Sequence, residues 1–137
     1  MTDLADVHRA LAAQVKTRIQ RDVNVSPWPF SQMPIPRIEV WPRDEYVNYY
    51  DLSDSDDAIA PVQLSLLIET STDPESGFMV MTDLLTWEGP SSLRAAVMAD
   101  RSLGGVVDDV VVQSAQWETD EVVLRGRVTV NVWVTKG

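Results

Sequence analysis

The longest regular pattern in the chain runs from Val122 to Val134. There Val122, Leu124, Val128, Val130, Val132 and Val134 take even positions with Gly126 among them, and Arg125, Arg127, Thr129, Asn131 and Trp133 take odd ones. Such alternation predicts a strand with one face in a core and the other outside. A second β-rich run, Val106 to Glu118, precedes it, and Thr119, Asp120 and Glu121 form a short polar turn between the two. The pair reads as a long C-terminal β-hairpin. The buried face of its first strand is ambiguous, because Val111, Ala115 and Trp117 on odd positions compete with Val110 and Val112 on even ones. A shift of one residue would turn every side chain over. Val62 to Thr70 alternates as well, with Val62, Leu64, Leu66 and Ile68 against Gln63, Ser65 and Glu69; only Leu67 breaks the pattern. Arg37 to Trp41, bounded by Pro36 and Pro42, reads as a short strand suited to a sheet edge.

Helical spacing recurs in three places. From Asp3 to Arg21, the residues Leu4, Val7, Leu11, Val15 and Ile19 form one stripe. Thr2 or Asp3 caps its start, and Asp6 early with Arg18 and Arg21 late complement the helix dipole. After a polar turn from Ser71 to Gly77, the stretch Phe78 to Trp87 places Phe78, Met81, Leu84 and Leu85 at helical spacing, and Gly89 and Pro90 stop it. Ser91 or Ser92 then caps a third helix through Asp100 with Leu93, Ala96 and Val97 inward, before Leu103, Gly104 and Gly105 turn the chain into the hairpin. The first helix is long enough to need a sheet beneath it. The expected fold is α+β, with an antiparallel sheet of about four strands ending in the hairpin and an N-terminal amphipathic helix and two short helices packed on it. At 137 residues the chain has the size of a single domain, taken as 1–137.

Two stretches leave the pattern. In Val23 to Pro36 the prolines 27, 29, 34 and 36 interleave with Trp28, Phe30 and Met33, which forbids helix and favours extended backbone held by apolar anchors. It reads as an ordered crossing segment, with a proline-rich ligand for an aromatic groove as the alternative. Residues 43–58 read as a long acidic loop containing Asp44, Glu45, Asp51, Asp54, Asp56 and Asp57 with Tyr46, Tyr49 and Tyr50. A calcium-loop reading from Asp51 fails twice, because Asp56 stands where glycine is needed and Val62 where glutamate is needed. Tyrosines among carboxylates suit a protein interface, in which the rings anchor and the charges set register.

Composition adds exclusions. Cysteine is absent, which removes disulfides and thiolate chemistry, and His8 is the only histidine, which disfavours a zinc site or a Ser/His/Asp triad. His8 itself reads as a solvated or half-buried side chain of the first helix. Met79, Met81 and Met98 read as core fillers rather than a cofactor box. No cofactor, metal or catalytic residue is assigned, and the chain reads as a non-enzyme. Nothing in it is long and apolar enough to span a bilayer, and the N-terminus lacks a secretory signal, so a soluble protein made in a cytoplasm is expected. The net charge is −10, and residues 43 to 88 account for it, with 11 acidic side chains against one basic. Such a chain cannot hold a phosphate backbone by counterion release, although it can repel a passing polyanion.

The run G-P-S-S-L-R-A-A-V-M-A-D-R-S-L-G-G-V-V-D-D-V-V-V, Gly89 to Val112, resembles the corresponding segment of tail-terminator (tail completion) proteins of long-tailed bacteriophages. The order of elements around it agrees: amphipathic helix, proline-rich crossing and long loop before, alternating hairpin after. The resemblance implies a structural virion protein of the tail or neck, assembled in the host cytoplasm. It would form a homo-oligomeric, six-membered ring that caps the tail tube, ends tail polymerisation and joins the tail to the head-side connector. DNA would pass through without specific binding, and no membrane is involved. Within that picture Tyr46, Tyr49, Tyr50, Arg125, Arg127 and Trp133 are candidate interface residues, and Asp51, Asp54, Asp56 and Asp57 candidate channel-lining carboxylates. For Trp133, packing beneath the first helix or the proline segment is the competing reading. Another head-tail joining protein of related fold, or a non-viral partner-binding α+β module, is the alternative function.

Overall fold

A computed structural model describes residues 3–47, 59–119 and 122–135. Its elements, in order, are α1 (Leu4–Arg18), β1 (Asn24–Ser26), β2 (Arg37–Val47), β3 (Ile59–Thr70), a π-helical turn (Pro74–Phe78), α2 (Met79–Leu85), α3 (Leu93–Met98), β4 (Asp109–Thr119) and β5 (Leu124–Thr135). The strands form one sheet in the order β1-β2-β3-β5-β4. The fold is α+β, as the pattern predicts. The sheet is mixed and has five strands, because Asn24–Ser26 of the proline-rich stretch pairs in parallel with Arg37–Glu39. Three residues between turns are too few to leave a periodic signal. Among the described residues no helix is long and apolar enough to cross a membrane.

The centre of the sheet is the antiparallel pair β3 and β5, which runs in unbroken register from Ile59↔Thr135 to Thr70↔Leu124. Partners across an antiparallel pair share a face. The register therefore stacks Val62, Leu64 and Leu66 beside Val132, Val130 and Val128, all buried. Each fully buried aliphatic side chain of this kind contributes roughly 1.5–3 kcal/mol. Ile38 and Val40 of β2 extend the same face through Ile68 and Leu66. The helices cover this side: α1 against β1 and β2, α2 against β3 and β5, α3 against β4.

Local chemistry holds the helices in place. Asp3 caps α1 by accepting from the Ala5 amide at 2.9 Å, and Ser92 caps α3 by accepting from the Ala95 amide at 3.1 Å. Of the expected stripe, Val7, Leu11, Val15 and Ile19 are buried and Leu4 is half-buried, with His8 and Ala12 widening it. The Gln14 amide donates to the carbonyls of Ala96, Val97 and Asp100 at 2.8–3.1 Å, so α1 satisfies the otherwise open end of α3. Leu103, Gly104 and Gly105 all take positive φ, 48°, 73° and 88°, and deliver the chain to β4.

The ambiguity in the hairpin has a structural answer. Val110↔Val132 and Val112↔Val130 place even residues of β4 on the helix face, and a bulge between Val112 and Ser114 then reverses the parity. Beyond it Ala115↔Val128 and Trp117↔Gly126 put odd residues on that same face. The even set, Val110 and Val112, therefore faces the helices before the bulge, whereas of the odd set Ala115 and Trp117 reach that face only beyond it and stay exposed, and Val111 lies on the opposite face. At two other places the expectation needs correction. Arg43 to Val47 are not loop but the continuation of β2, which carries on past Pro42 with a register shift before Val47↔Val62. A proline is tolerated there because only its hydrogen-bonding, not its φ, conflicts with a strand. His8 is buried rather than solvated.

Gly126 is where α2 meets the sheet. A Cβ added there would stand 2.6 Å from Met81 Sδ, and Met81 is itself buried. Gly126→Ala is therefore expected to destabilise the fold by roughly 1–3 kcal/mol, seen as a lower urea midpoint. An unchanged midpoint would show that α2 is not seated on β5 at this point.

Candidate interaction surface

The odd-numbered residues of β3 and β5 form the other face of the sheet. Among the described residues no helix packs on it. It carries Gln63, Ser65, Leu67 and Glu69 from β3 opposite Asn131, Thr129, Arg127 and Arg125 from β5, with Arg37, Glu39 and Trp41 from β2 on one flank. At its centre is an ion ladder across three strands. Arg37 Nη2 lies 3.1 Å from Glu69 Oε1, and Arg125 Nε lies 3.6 Å from Glu69 Oε2. Glu118 of β4 lies in register with Arg125, and Gln116 with Arg127. Arg37, Glu69, Glu118, Arg125 and Arg127, with Phe30 and Trp41, bound a shallow concavity of about 520 Å³.

The second carboxylate of this face, Glu39, is buried and well satisfied. It accepts from the Ser31 amide at 2.7 Å and from Trp41 Nε1 at 3.0 Å, with Arg37 Nε 3.9 Å away. Burial pushes its carboxyl up, but the hydrogen bonds from Ser31 and Trp41 and the charge of Arg37 outweigh it and hold the group below its ordinary range. This glutamate ties the proline-rich segment to the sheet. Phe30 follows, its ring edge-on to Trp41 at 4.8 Å.

The candidate residues separate into three groups. Arg125, Arg127 and Trp133 do share the uncovered face; Arg127 is exposed, and Arg125 and Trp133 are half-buried. Trp133 lies in register with Pro61 and Asp109 and is not beneath a helix. Tyr46 belongs elsewhere. Its hydroxyl lies 2.8 Å from His8 Nε2, while His8 Nδ1 lies 3.0 Å from the Pro27 carbonyl. Because a carbonyl only accepts, Nδ1 carries the proton and Nε2 accepts from the tyrosine. Desolvation lowers the pKa of His8, against the opposing pull of the Pro27 bond, so the ring is held neutral. Trp28 stacks on the same imidazole at 4.9 Å. Tyr49, Tyr50, Asp51, Asp54, Asp56 and Asp57 lie outside the described residues.

Sequence reasoning did not assign Arg37, Glu39, Glu69 and Trp41 to this surface. The signal was present: Arg37 and Glu39 on the polar side of one alternating run and Glu69 on that of the next, awaiting only the register that pairs them. A second concavity, on the helix side of the hairpin, was also missed, since it joins α2 to β4 across about thirty residues of chain. Among the described residues, no cluster of His, Asp or Glu is arranged to hold a metal ion. A scan of protein-family models and a search of curated proteins each find no match.

The Glu39 linkage gives a test. A carboxylate whose pKa is lower folded than unfolded stabilises fully above its ordinary value near 4.5 and loses that contribution as pH falls through the folded one. Glu39→Gln should lower stability at pH 7 by about 1–3 kcal/mol and flatten the loss of stability below pH about 4.5, by urea titration. A variant with the same acid slope as the parent would contradict this account of Glu39.

Proposed function

We propose that this chain is a ring-forming subunit of the tail or neck of a long-tailed bacteriophage, acting as a tail terminator. In this reading copies close into a ring, six-membered by resemblance, on the end of the finished tail tube. The ring stops tube growth and presents its other side to the head-side connector. The observation that carries the proposal is the single-sided sheet. One face supplies the core, and the other leaves Arg125, Arg127 and Trp133 in a row without a helix over them. Arginine beside tryptophan is a composition enriched where proteins meet. The order of elements supports it further: an amphipathic helix, a proline-rich crossing and two short helices precede a long terminal hairpin, the arrangement that accompanies the Gly89–Val112 resemblance.

The charge distribution fits a conduit. Should the carboxylates Asp51, Asp54, Asp56 and Asp57 line the channel, the wall would repel DNA phosphates rather than bind them. Native mass spectrometry and negative-stain imaging of the protein mixed with tail tubes test the assembly directly. A closed ring at tube ends is expected; a monomer indifferent to tubes would favour the partner-binding module instead. For the channel, the triple substitution Asp54→Asn, Asp56→Asn, Asp57→Asn should slow DNA passage while rings still form. Unchanged infection kinetics in that mutant would contradict the channel assignment.

A further inference from the structure

His8 differs from the other buried titratable groups. Glu39 and Glu69 lie beside arginines, whereas His8, 4% exposed, takes part in none of the ion pairs among the described residues. A charge formed there would have neither water nor a counter-ion. The ring also joins three parts of the chain. It belongs to α1, its Nδ1 donates to the Pro27 carbonyl at 3.0 Å, and its Nε2 accepts from the Tyr46 hydroxyl at 2.8 Å near the end of β2. Trp28 stacks on it.

The segment held by this ring has few other ties. Trp28 is 41% exposed, and the remaining described hydrogen bonds of residues 27 to 30 are the local pair between Ser26 Oγ and the Trp28 backbone. The chain then crosses to the uncovered face, where Phe30, Ser31 and Gln32 line the concavity and Glu39 holds the Ser31 amide.

We infer that His8 is a proton-operated latch on the proline-rich crossing: neutral, it clasps Pro27 and Trp28 between α1 and β2, and charged, it lets them open while the sheet and α1 stay folded. The neutral ring suits both neighbours, since one nitrogen donates and the other accepts. Protonation makes Nε2 a donor, so it gives up the Tyr46 hydrogen, and the cation regains hydration only when the segment lifts. The core need not follow. Val7, Leu11, Val15 and the Gln14 amide anchor α1, and β3 holds β2. Nor do the surrounding elements supply a counter-charge. On α1, Arg9 has the same sign and Asp6 is paired with it; residues 23 to 36 carry no charge; and on β2, Tyr46 follows Asp44 and Glu45, both exposed.

Burial lowers the pKa of His8, and the Pro27 bond opposes it only in part, so the opened ring binds a proton that the closed one resists. The closed segment is therefore at full stability above the ordinary value of 6.5 and loses it as pH falls through the folded one. Within that window each pH unit favours opening by up to about tenfold. The Glu39 tie weakens only below its own ordinary value of 4.5, so the helix-side end of the crossing releases first. The latch stands apart from the ring reading, because the isolated chain carries every group it needs.

With a single histidine in the chain, the ring signals of His8 titrate without overlap in NMR spectra of the full-length protein. A midpoint below 6.5 is expected, with the hydrogen-exchange protection factor of the Trp28 amide falling along the same curve while those of Leu11 and Val15 hold. His8→Gln, which cannot take the charge, should keep Trp28 protection flat across the titration. Tyr46→Phe, which removes the hydrogen that Nε2 accepts, should raise the His8 midpoint. A His8 that titrates at its ordinary value, or that charges while Trp28 stays protected, would overturn the latch, and so would an acid loss of Trp28 protection that persists in His8→Gln. Should a variant fail to fold, the wild-type titration decides alone.

Discussion

The pairing of β3 with β5 is the constraint from which the other features follow. Twelve residue pairs in continuous antiparallel register decide at once which side chains are core and which are surface. Because the pleat has a period of two, a slip of one residue would expose Leu64, Leu66, Val128 and Val130 together and bury Glu69 with Arg125 against the helices. Each alternative is so costly that the register has one solution. With that solution in place, one side of the sheet must be covered and the other need not be. The three described helices do the covering, and among the described residues the proline-rich segment alone is tied down on the far side, at Glu39.

What remains on the far side is polar but organised. The Arg37–Glu69–Arg125 ladder links three strands, and Glu39 ties the proline-rich segment down beside it. Exposed ion pairs contribute little to stability by themselves. Glu69 and Glu39 differ because both are buried among their partners, so breaking either network leaves a charge or an amide unpaired. The face is thereby stiff before any partner arrives, and stiffness reduces the ordering cost of an interface. The hairpin's outer half follows a separate logic. The bulge after Val112 keeps Ala115 and Trp117 on the helix side where α2 is too short to cover them, and the apolar groove is the outcome.

Much of this was legible in the residues themselves, for identifiable reasons. The faces of β3 and β5 and the stripe of α1 could be read because each is a long amphipathic element with one dominant period. The cap at Ser92 and the stop after Trp87 could be read because capping chemistry is local. The strand β1 could not, since three residues beside prolines carry no period. The extension of β2 to Val47 was hidden by Pro42 and by the acidic residues that follow, which resemble loop in composition. The burial of His8 was hidden because its partners, Pro27 and Tyr46, are distant in sequence. The site divides in the same way. Arg125, Arg127 and Trp133 were legible as one face of one strand, whereas the ladder and the groove needed a register and a tertiary contact that no local pattern encodes.

The central claim is that the two faces of β5 do different work, the even side holding the molecule together and the odd side meeting other molecules. Hydroxyl-radical footprinting of the isolated protein and of the protein bound at tail-tube ends measures this at Trp133, whose ring reports oxidation from the uncovered face. The account predicts a clear drop in Trp133 oxidation on assembly. Equal oxidation in the free and assembled protein would contradict it.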